Sequence, residues 1–229
     1  ADFIRSNMLC EFVRARRGQP VFQDYYKREI HVAKQELRAG PGTLLLGVDF
    51  GLNFAAVIGQ PLPTGGLLVL DEIVLPGYSL EEALADAIIP LLRLKYPNYA
   101  VQAYGDPAGM GRSPNDKRRA FDIFAENGIA AAPAPTNSFP PRRDSVIFFL
   151  QRHGGLIISP QCTTLIKALD YGYIYKTTKV SGNVVTSASA DKNEFSHIAD
   201  ALQYLCVSVR LGGVQSGPIK TVEPAPVAW

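Results

Sequence analysis

Short apolar runs broken by turn residues alternate along the middle of the chain and predict buried β-strands. Residues 44–48, 54–58 and 67–74 are the first three such runs, and a segment rich in proline and glycine separates the second from the third. Because the connections between them are short, we expect these strands to form an antiparallel meander. Further strands are predicted at residues 100–104, 129–132 and 156–159.

Helical spacing of apolar residues predicts helices between and after these strands. The first follows Ser79, whose side chain suits an N-cap, and it runs towards residue 94 with an expected kink at Pro90. The other helices are predicted at residues 116–126, 142–152, 162–169 and 194–211.

A turn-rich segment in the last third of the chain predicts a β-hairpin. Its strands are expected at residues 171–178 and 184–187, with Tyr171, Tyr173 and Tyr175 along one side of the first strand. The order of strands and helices predicts an α/β fold with a mixed β-sheet flanked by helices. The hairpin is an extra element beside that sheet.

Glycine and proline divide the chain into three regions. A Gly-Pro-Gly sequence at residues 40–42 is a strong break, so residues 1–40 are expected to be a lead-in segment packed on the main domain and not in its core. Residues 41–211 are expected to form that domain. Residues 212–229 are rich in glycine and proline and are expected to be a flexible tail.

The composition is that of a globular protein and narrows the possible functions. Of 229 residues, 47% are hydrophobic and 19% are charged, and a net charge of +2 neither requires nor excludes a nucleic-acid partner. Cys10, Cys162 and Cys206 are widely spaced, which argues against a disulfide framework or a zinc knuckle and favours a reducing compartment. No apolar run approaches the roughly 18 residues that span a bilayer, so no membrane association is expected.

Three aspartates lie beside apolar segments, where an uncompensated carboxylate is costly. Asp49 ends the first predicted strand, Asp106 follows the strand at residues 100–104, and Asp200 lies in the last predicted helix. Few lysines or arginines are adjacent to them, and carboxylate oxygens suit Mg²⁺ or Mn²⁺ better than zinc. Neighbouring strands would bring Asp49 and Asp106 close together, and the alternative for each is an aspartate that forms a turn.

The position of Asp200 on its helix leaves two interpretations open. At about 100° per residue it lies nearly opposite the apolar face, which fits a solvated aspartate, yet the second half of the helix is apolar almost all round. His197, one turn earlier, is a candidate for binding a phosphate or positioning a water, although a structural histidine fits equally well. Asp191 is a further candidate carboxylate, and helix capping explains Glu194 more simply.

Basic residues cluster in two stretches and at the predicted hairpin, with proline and aromatic residues nearby. Such a pattern fits a surface that contacts DNA phosphates, and a solvated charged surface is the alternative for each residue. The candidates are Arg112, Lys117, Arg118, Arg119, Arg142, Arg143, Lys176 and Lys179.

Five segments of the sequence resemble one known family. GVDFG at Asp49, YGDPAG at Asp106 and FSHIADALQYL around Asp200 resemble the nuclease domain of the large terminase subunits of tailed bacteriophages. GQPVFQDYYKREIHV and RRDSVIFFLQRHGGLIISPQC resemble the same family, so the resemblance covers roughly residues 18–211. The helix sequence SHIADALQYL is its most specific part.

The resemblance implies an RNase H-like fold and a metal-dependent endonuclease. It implies that Asp49, Asp106 and Asp200 form an acidic triad for Mg²⁺ or Mn²⁺, with two ions about 3.5–4 Å apart when substrate is bound. The implied reaction is phosphodiester hydrolysis in concatemeric double-stranded DNA during genome packaging.

The resemblance also implies partners and a location. In this family a packaging ATPase precedes the nuclease, and the chain has no GxxxxGK[ST] sequence, so the ATPase is expected to lie outside it. Double-stranded DNA, the portal and the small terminase subunit are the other implied partners. The implied location is the host bacterial cytoplasm, at the procapsid portal during packaging.

Three other functions stay open on the sequence alone. Another RNase H-like nuclease, of the resolvase or transposase type, would share the site and differ in its substrate. An actin-like or sugar-kinase ATPase would explain the sequence GVDFGLNFAAVIG, although no second loop of that form is present. A non-catalytic DNA-docking module would make the aspartates structural.

Overall fold

The centre of the molecule is a six-stranded mixed sheet. The computed structural model describes residues 18–51, 53–111, 118–180 and 183–212. The strands of the sheet are β1 Leu44–Asp49, β2 Asn53–Pro61, β3 Leu67–Pro76, β4 Val101–Gly105, β5 Ala130–Pro133 and β6 Leu156–Ile158. Their order is β5-β4-β1-β2-β3-β6, with β2 antiparallel to both neighbours and the other pairings parallel. The predicted meander of β1, β2 and β3 is confirmed.

Helices cover both faces of this sheet, and the hairpin forms a separate sheet. The helices are α1 Arg28–His31, α2 Leu80–Ala83, α3 Ile89–Lys95, α4 Ala120–Glu126, α5 Phe139–Leu150, α6 Thr163–Lys167 and α7 Ser196–Leu211. The predicted hairpin is confirmed as β7 Tyr175–Val180 and β8 Asn183–Ala190. None of the helices in the described ranges has the length and apolar character that crossing a bilayer would require.

Helix α2 begins at the predicted cap, and a π turn joins it to the helix that contains Pro90. The hydroxyl of Ser79 accepts the N–H of Glu82, and the carboxylate of Glu82 accepts the N–H of Ser79, which satisfies two backbone donors. A π turn follows, in which the N–H of Ile89 bonds to the carbonyl of Leu84. Pro90 is the second residue of α3, directly after this π turn, so the turn lies next to the position at which the sequence predicts a kink.

Two further differences from the predicted elements have simple causes. Helix α5 begins at Phe139 and not at residue 142, because prolines at its first positions have no N–H that needs an intrahelical partner. Tyr171 lies in the π turn Ala168–Gly172 that continues α6, and Tyr173 follows that turn. Of the three tyrosines predicted to share a strand, Tyr175 alone lies in β7, so that prediction was wrong.

Two cores lie on opposite faces of the sheet, and β1 contributes to both. Leu46 and Val48 pack with α2, α3 and α4, whereas Leu45 packs with α5, α6 and α7. Because side chains alternate along a strand, Gly47 and Asp49 face the same side as Leu45. The alternation therefore directs Asp49 towards the helix that carries Asp200.

Glycines on β1 and β2 allow α7 to lie directly on the strands. A Cβ atom at Gly47 would stand 2.2 Å from the carbonyl oxygen of Ala201, and one at Gly59 would stand 2.8 Å from Cδ2 of Leu205. At Gly47 a side chain would require the helix backbone to move, and at Gly59 it would displace the end of the Leu205 side chain. This close approach brings the first turns of α7 to the carboxyl end of β1.

The segment before the sheet takes part in the core. Val21 and Phe22 are 4% and 1% exposed, and the Phe22 ring stacks on that of Tyr173 with centroids 6.0 Å apart. Val32 makes a parallel bridge to Ile158 in β6. The burial of these side chains differs from the expectation that residues 1–40 lie on the domain and not in its core. The predicted limits of the domain, residues 41 and 211, stay predictions.

Candidate active site

Two of the predicted carboxylates lie side by side at the carboxyl ends of adjacent parallel strands. Val48 of β1 pairs with Gly105 of β4, so Asp49 and Asp106 are the next residues on the two strands. Neighbouring strands lie about 4.8 Å apart. The expectation that neighbouring strands bring these two aspartates together is confirmed.

The two aspartates line a cleft of about 670 Å³ between the strand ends and the start of α7. Loops after β1 and β4 form one wall, and the loop between β8 and α7 forms the other. The lining residues are Asp49, Phe50, Gly51, Asn53, Asp106, Ala108, Gly109, Lys192, Asn193, Glu194 and His197.

The wall formed by the loops after β1 and β4 is held in place by Phe50. A Cβ atom at Gly105 would stand 2.4 Å from the Phe50 ring, and one at Gly109 would stand 2.7 Å from it, so a side chain at either position would displace the ring. The same ring contacts Phe121 edge to face, with centroids 5.4 Å apart. The turn Pro107–Met110 starts directly after Asp106, whose Oδ1 accepts the N–H of Ala108 at 2.8 Å.

Asp49 is oriented by the histidine that the sequence predicted as an accessory residue. Nδ1 of His197 lies 2.9 Å from Oδ2 of Asp49, and Nε2 lies 3.4 Å from Nδ2 of Asn53. A Cβ atom at Gly51 would stand 3.3 Å from the imidazole, so the loop after β1 leaves room for the ring. The histidine therefore links the first turn of α7 to the end of β1.

Asp200 is buried behind the cleft and is not solvated. Its side chain is 4% exposed, and Oδ1 accepts hydrogen bonds from Arg142, Tyr173 and Gln203 at 3.1, 3.0 and 3.0 Å. Nζ of Lys192, which lines the cleft, lies 2.7 Å from Oδ2. The solvated interpretation of Asp200 is wrong because α7 is covered on every side along its middle turns.

Arg142 is an interior residue, contrary to the surface position expected of a DNA contact. Its side chain is 8% exposed, pairs with Asp200, and lies 4.6 Å from the ring centroid of Tyr204. A buried guanidinium in this position neutralises a buried carboxylate and does not reach solvent.

Two other basic candidates are engaged with acidic neighbours. Arg118 pairs with Glu81 at 2.7 Å and Glu126 at 3.2 Å. Arg143 pairs with Asp144 at 2.7 Å and also contacts the hydroxyl of Tyr175. Exposed ion pairs of this kind are weak, so they leave both arginines as candidates for DNA contact.

The remaining basic candidates differ in how they are placed. Lys176 is exposed on β7, and Arg119 is half-buried just before α4. Arg112 and Lys117 lie outside the described residues, as does the side chain of Lys179.

The loop between β8 and α7 holds residues that the sequence interpretation ranked low or missed. Glu194 lines the cleft and makes no capping bond, because α7 begins at Ser196 with Phe195 as its N-cap residue. Asp191 is half-buried, and its N–H bonds to the carbonyl of Ile174. Lys192 was not predicted, since it has no helical spacing to Asp200 and the loop alone brings it there.

Two buried phenols stand near the carboxylates as neutral donors. Burial raises the pKa of Tyr173, and the carboxylate of Asp200 acts in the same direction. Burial likewise raises the pKa of Tyr204, with Asp106 adding to the shift and Arg142 opposing it. Both hydroxyls therefore keep their protons at neutral pH; that of Tyr173 donates to Oδ1 of Asp200, and that of Tyr204 donates to Oδ1 of Asn137.

The described residues contain no ready-made cluster of three metal-ligating side chains. No group of three His, Cys, Asp or Glu residues among them converges at metal-binding geometry. Asp49 and Asp106 nevertheless present hard oxygen donors to one cleft, which is the ligand type that Mg²⁺ and Mn²⁺ prefer. At Asp200 the ammonium of Lys192 already stands where a cation is favoured.

Comparison of the sequence with protein-family models and with curated proteins gave no match. Comparison of the structure with solved structures gave matches to phage large terminases. A large terminase from a thermophilic bacteriophage, in its crystal form 3, is 14% identical with a TM-score of 0.62, over 92% of this chain and 49% of that chain. The large terminase nuclease of thermophilic phage G20c, with bound magnesium, is 18% identical with a TM-score of 0.52, over 82% and 97%. The large terminase nuclease domain of Thermus phage P74-26 is 17% identical with a TM-score of 0.50, over 88% and 100%.

These likenesses establish the fold. The chain has the RNase H-like fold of large-terminase nuclease domains, as the sequence resemblance predicted. It spans about half of the length of the first of these large terminases and nearly all of the G20c and P74-26 nucleases.

Proposed function

We propose that this chain is a divalent-metal-dependent endonuclease that cuts concatemeric double-stranded DNA during packaging of a tailed-phage genome. The observation that supports this most directly is the adjacent pair Asp49 and Asp106 in an open cleft. Ligand chemistry in α/β sheets usually lies at such strand ends. The shared fold of the large-terminase nucleases supports the same function.

The donors in the cleft fit a hard divalent cation. Asp49 and Asp106 would hold it through carboxylate oxygens, and Asp200 is proposed as the third ligand, with Mg²⁺ or Mn²⁺ as the ion. When bound, one or two such ions activate water and neutralise charge on the phosphodiester. The magnesium bound by the G20c nuclease supports this choice of ion.

The protein's own part is to fix the carboxylates before DNA arrives. His197 holds Oδ2 of Asp49, and the N–H of Ala108 holds Oδ1 of Asp106. Charged groups held in advance need no reorganisation when substrate binds, which is the main source of electrostatic stabilisation in enzyme sites. Glu194, which lines the same cleft, is proposed to orient water near these carboxylates.

The DNA surface and the partners are part of the same proposal. Exposed Lys176, with Arg118, Arg119 and Arg143, is proposed to contact phosphates, together with Arg112, Lys117 and Lys179. A packaging ATPase, the portal and the small terminase subunit are the proposed protein partners, in the host cytoplasm at the procapsid portal.

The nuclease proposal is tested on supercoiled plasmid in Mn²⁺, Mg²⁺ or EDTA. We expect nicking and linearisation in either metal and none in EDTA. Asp49→Ala removes a ligand and is expected to lower the cutting rate about 100-fold or more, with an unchanged circular dichroism spectrum. Rates are read from the loss of supercoiled DNA on agarose gels.

The matched control is Asp86→Ala. Asp86 is exposed on the π turn Leu84–Ile88, on the face of the sheet opposite α7, so its loss should leave cutting within about twofold. Cutting in EDTA, or undiminished cutting by Asp49→Ala, would overturn the proposal. ATP hydrolysis by the chain would favour the kinase-like alternative.

A further inference from the structure

The ammonium of Lys192 makes an ion pair of unusual geometry with Asp200. The Lys192 side chain is 74% exposed, yet its Nζ lies 2.7 Å from Oδ2 of a carboxylate that is 4% exposed. An exposed lysine normally keeps its ammonium in water, because pairing costs side-chain entropy and yields little in high dielectric. Here Lys192 lines the cleft that holds Asp49 and Asp106, and Asp200 is buried behind it.

The two oxygens of Asp200 are satisfied in different ways. Oδ1 faces the interior and accepts from Arg142, Tyr173 and Gln203. Oδ2 accepts from Lys192, the one of these four donors that lines the cleft. The interior donors are fixed by packing, whereas the lysine is on a flexible, solvated stem that can leave.

We infer that Lys192 is an internal counter-ion that occupies the cation position at Asp200 and competes with the divalent metal for it. The inference rests on the proposed function. With Lys192 in place, Asp200 carries two cationic partners and has little remaining charge to offer a metal. When Lys192 is withdrawn, Oδ2 of Asp200 is free to bind the metal together with the carboxylates of Asp49 and Asp106.

The position of Lys192 in the chain connects this competition to DNA. Lys192 lies in the short loop that joins β8 to α7, and β7 of the same hairpin carries exposed Lys176. A duplex in the cleft would offer phosphate oxygens as an alternative partner for the ammonium. Metal loading at Asp200 would then become favourable when DNA is present, and the coupling would be reciprocal.

The test measures Mn²⁺ binding without DNA, from the electron paramagnetic resonance signal of free Mn²⁺. Lys192→Gln is expected to bind Mn²⁺ about tenfold more tightly than the unsubstituted chain, since one competing charge beside a carboxylate is removed. Lys192→Arg keeps the charge and is expected to stay within about threefold. Lys34→Gln makes the same charge change at an exposed position outside the cleft and is expected to have no effect.

Two results would overturn the inference. One is Lys192→Gln with unchanged or weaker Mn²⁺ affinity, and the other is Lys34→Gln with the same gain as Lys192→Gln. If the unsubstituted chain still cuts plasmid in Mn²⁺ but not in EDTA, the nuclease proposal survives either result. Absence of both Mn²⁺ binding and cutting in all the proteins would overturn the two proposals together.

Discussion

The contact between His197 and Asp49 joins a residue of the last helix to a residue of the first strand. One imidazole nitrogen faces the carboxylate, and the other faces Asn53. The ring is thereby held from both sides. A partner of this kind orients a ligand and changes its affinity without touching the metal itself.

Replacing this histidine should weaken metal use more than it weakens the fold. We expect His197→Ala to raise the Mn²⁺ concentration for half-maximal plasmid cutting about 10–100-fold, because Asp49 loses its orienting partner. His153 is exposed in the turn after α5, so His153→Ala should leave that concentration unchanged. Equal Mn²⁺ dependence in the two variants would contradict a positioning role.

The positions of the site residues were predictable where strand geometry determines them. They were not predictable where contacts with distant segments of the chain determine them. Asp49 and Asp106 could be placed together because strand ends locate them. Asp200 could not be placed, because a helical wheel shows one helix and not the elements that cover it. Arg142 was misassigned for the same reason: its partner lies 58 residues away in the sequence.

At the scale of elements, the site depends on how closely α7 approaches β1. Gly47 removes the side chain that would separate them, and this contact sets the height of α7 above the sheet. Asp49 on β1 and His197 on α7 both lie at the cleft end of that contact. A change in the spacing between helix and strand would therefore disturb both.

Adding one carbon at this contact should destabilise the protein. The Cβ of Gly47→Ala would stand 2.2 Å from the carbonyl oxygen of Ala201, so we expect a loss of about 1–3 kcal/mol in the free energy of unfolding. At Gly40 the nearest atom is Oε1 of Gln60 at 3.8 Å, and Gly40→Ala should stay within about 0.5 kcal/mol. Urea unfolding monitored by circular dichroism compares the two, and identical midpoints would show that α7 does not rest on Gly47.

Element boundaries were predictable where turn residues mark them. The strands lie close to their predicted positions because glycine and proline flank the apolar runs. Helix α5 starts earlier than predicted because proline is a helix breaker inside a helix but a good residue in its first turn. The π turn after α6 has no marker of its own, so Tyr171 was assigned to a strand.

At the scale of the whole molecule, the small net charge conceals an uneven distribution. Several candidate cations are engaged with acidic neighbours or buried, while Lys176 is exposed on the hairpin. The hairpin is joined directly to the loop that lines the cleft. A duplex that enters the cleft would therefore meet the hairpin as well.

The hairpin lysine should contribute one phosphate contact to DNA binding. We expect Lys176→Gln to weaken duplex binding in EDTA and to reduce the slope of log K against log salt by about 1. Lys34→Gln is the control with the same change of charge and should leave the slope unchanged. Fluorescence anisotropy at several salt concentrations gives both slopes, and an unaltered slope for Lys176→Gln would remove it from the DNA surface.

The fold class was predictable from the order of the elements, and the resemblance of five segments supplied the RNase H-like arrangement. The packing of the lead-in was not predictable, because the polar residues between its aromatic residues hide the burial of Phe22 against Tyr173. The position of β6 at the edge of the sheet, beside β3, was also not predictable from the sequence, because a strand of three residues is too short to show a hydrophobic pattern.

The distance in sequence between the two halves of the cleft has a consequence for synthesis. Asp49 and His197 are 148 residues apart, so the carboxylates of the strands emerge from the ribosome long before the helix that covers them. Domains form from the amino terminus onwards, and contacts between distant segments form late. A chain interrupted before Ser196 would hold Asp49 and Asp106 but lack His197 and Asp200. On the proposed function, such an unfinished chain lacks part of the site, and we expect it not to cut DNA.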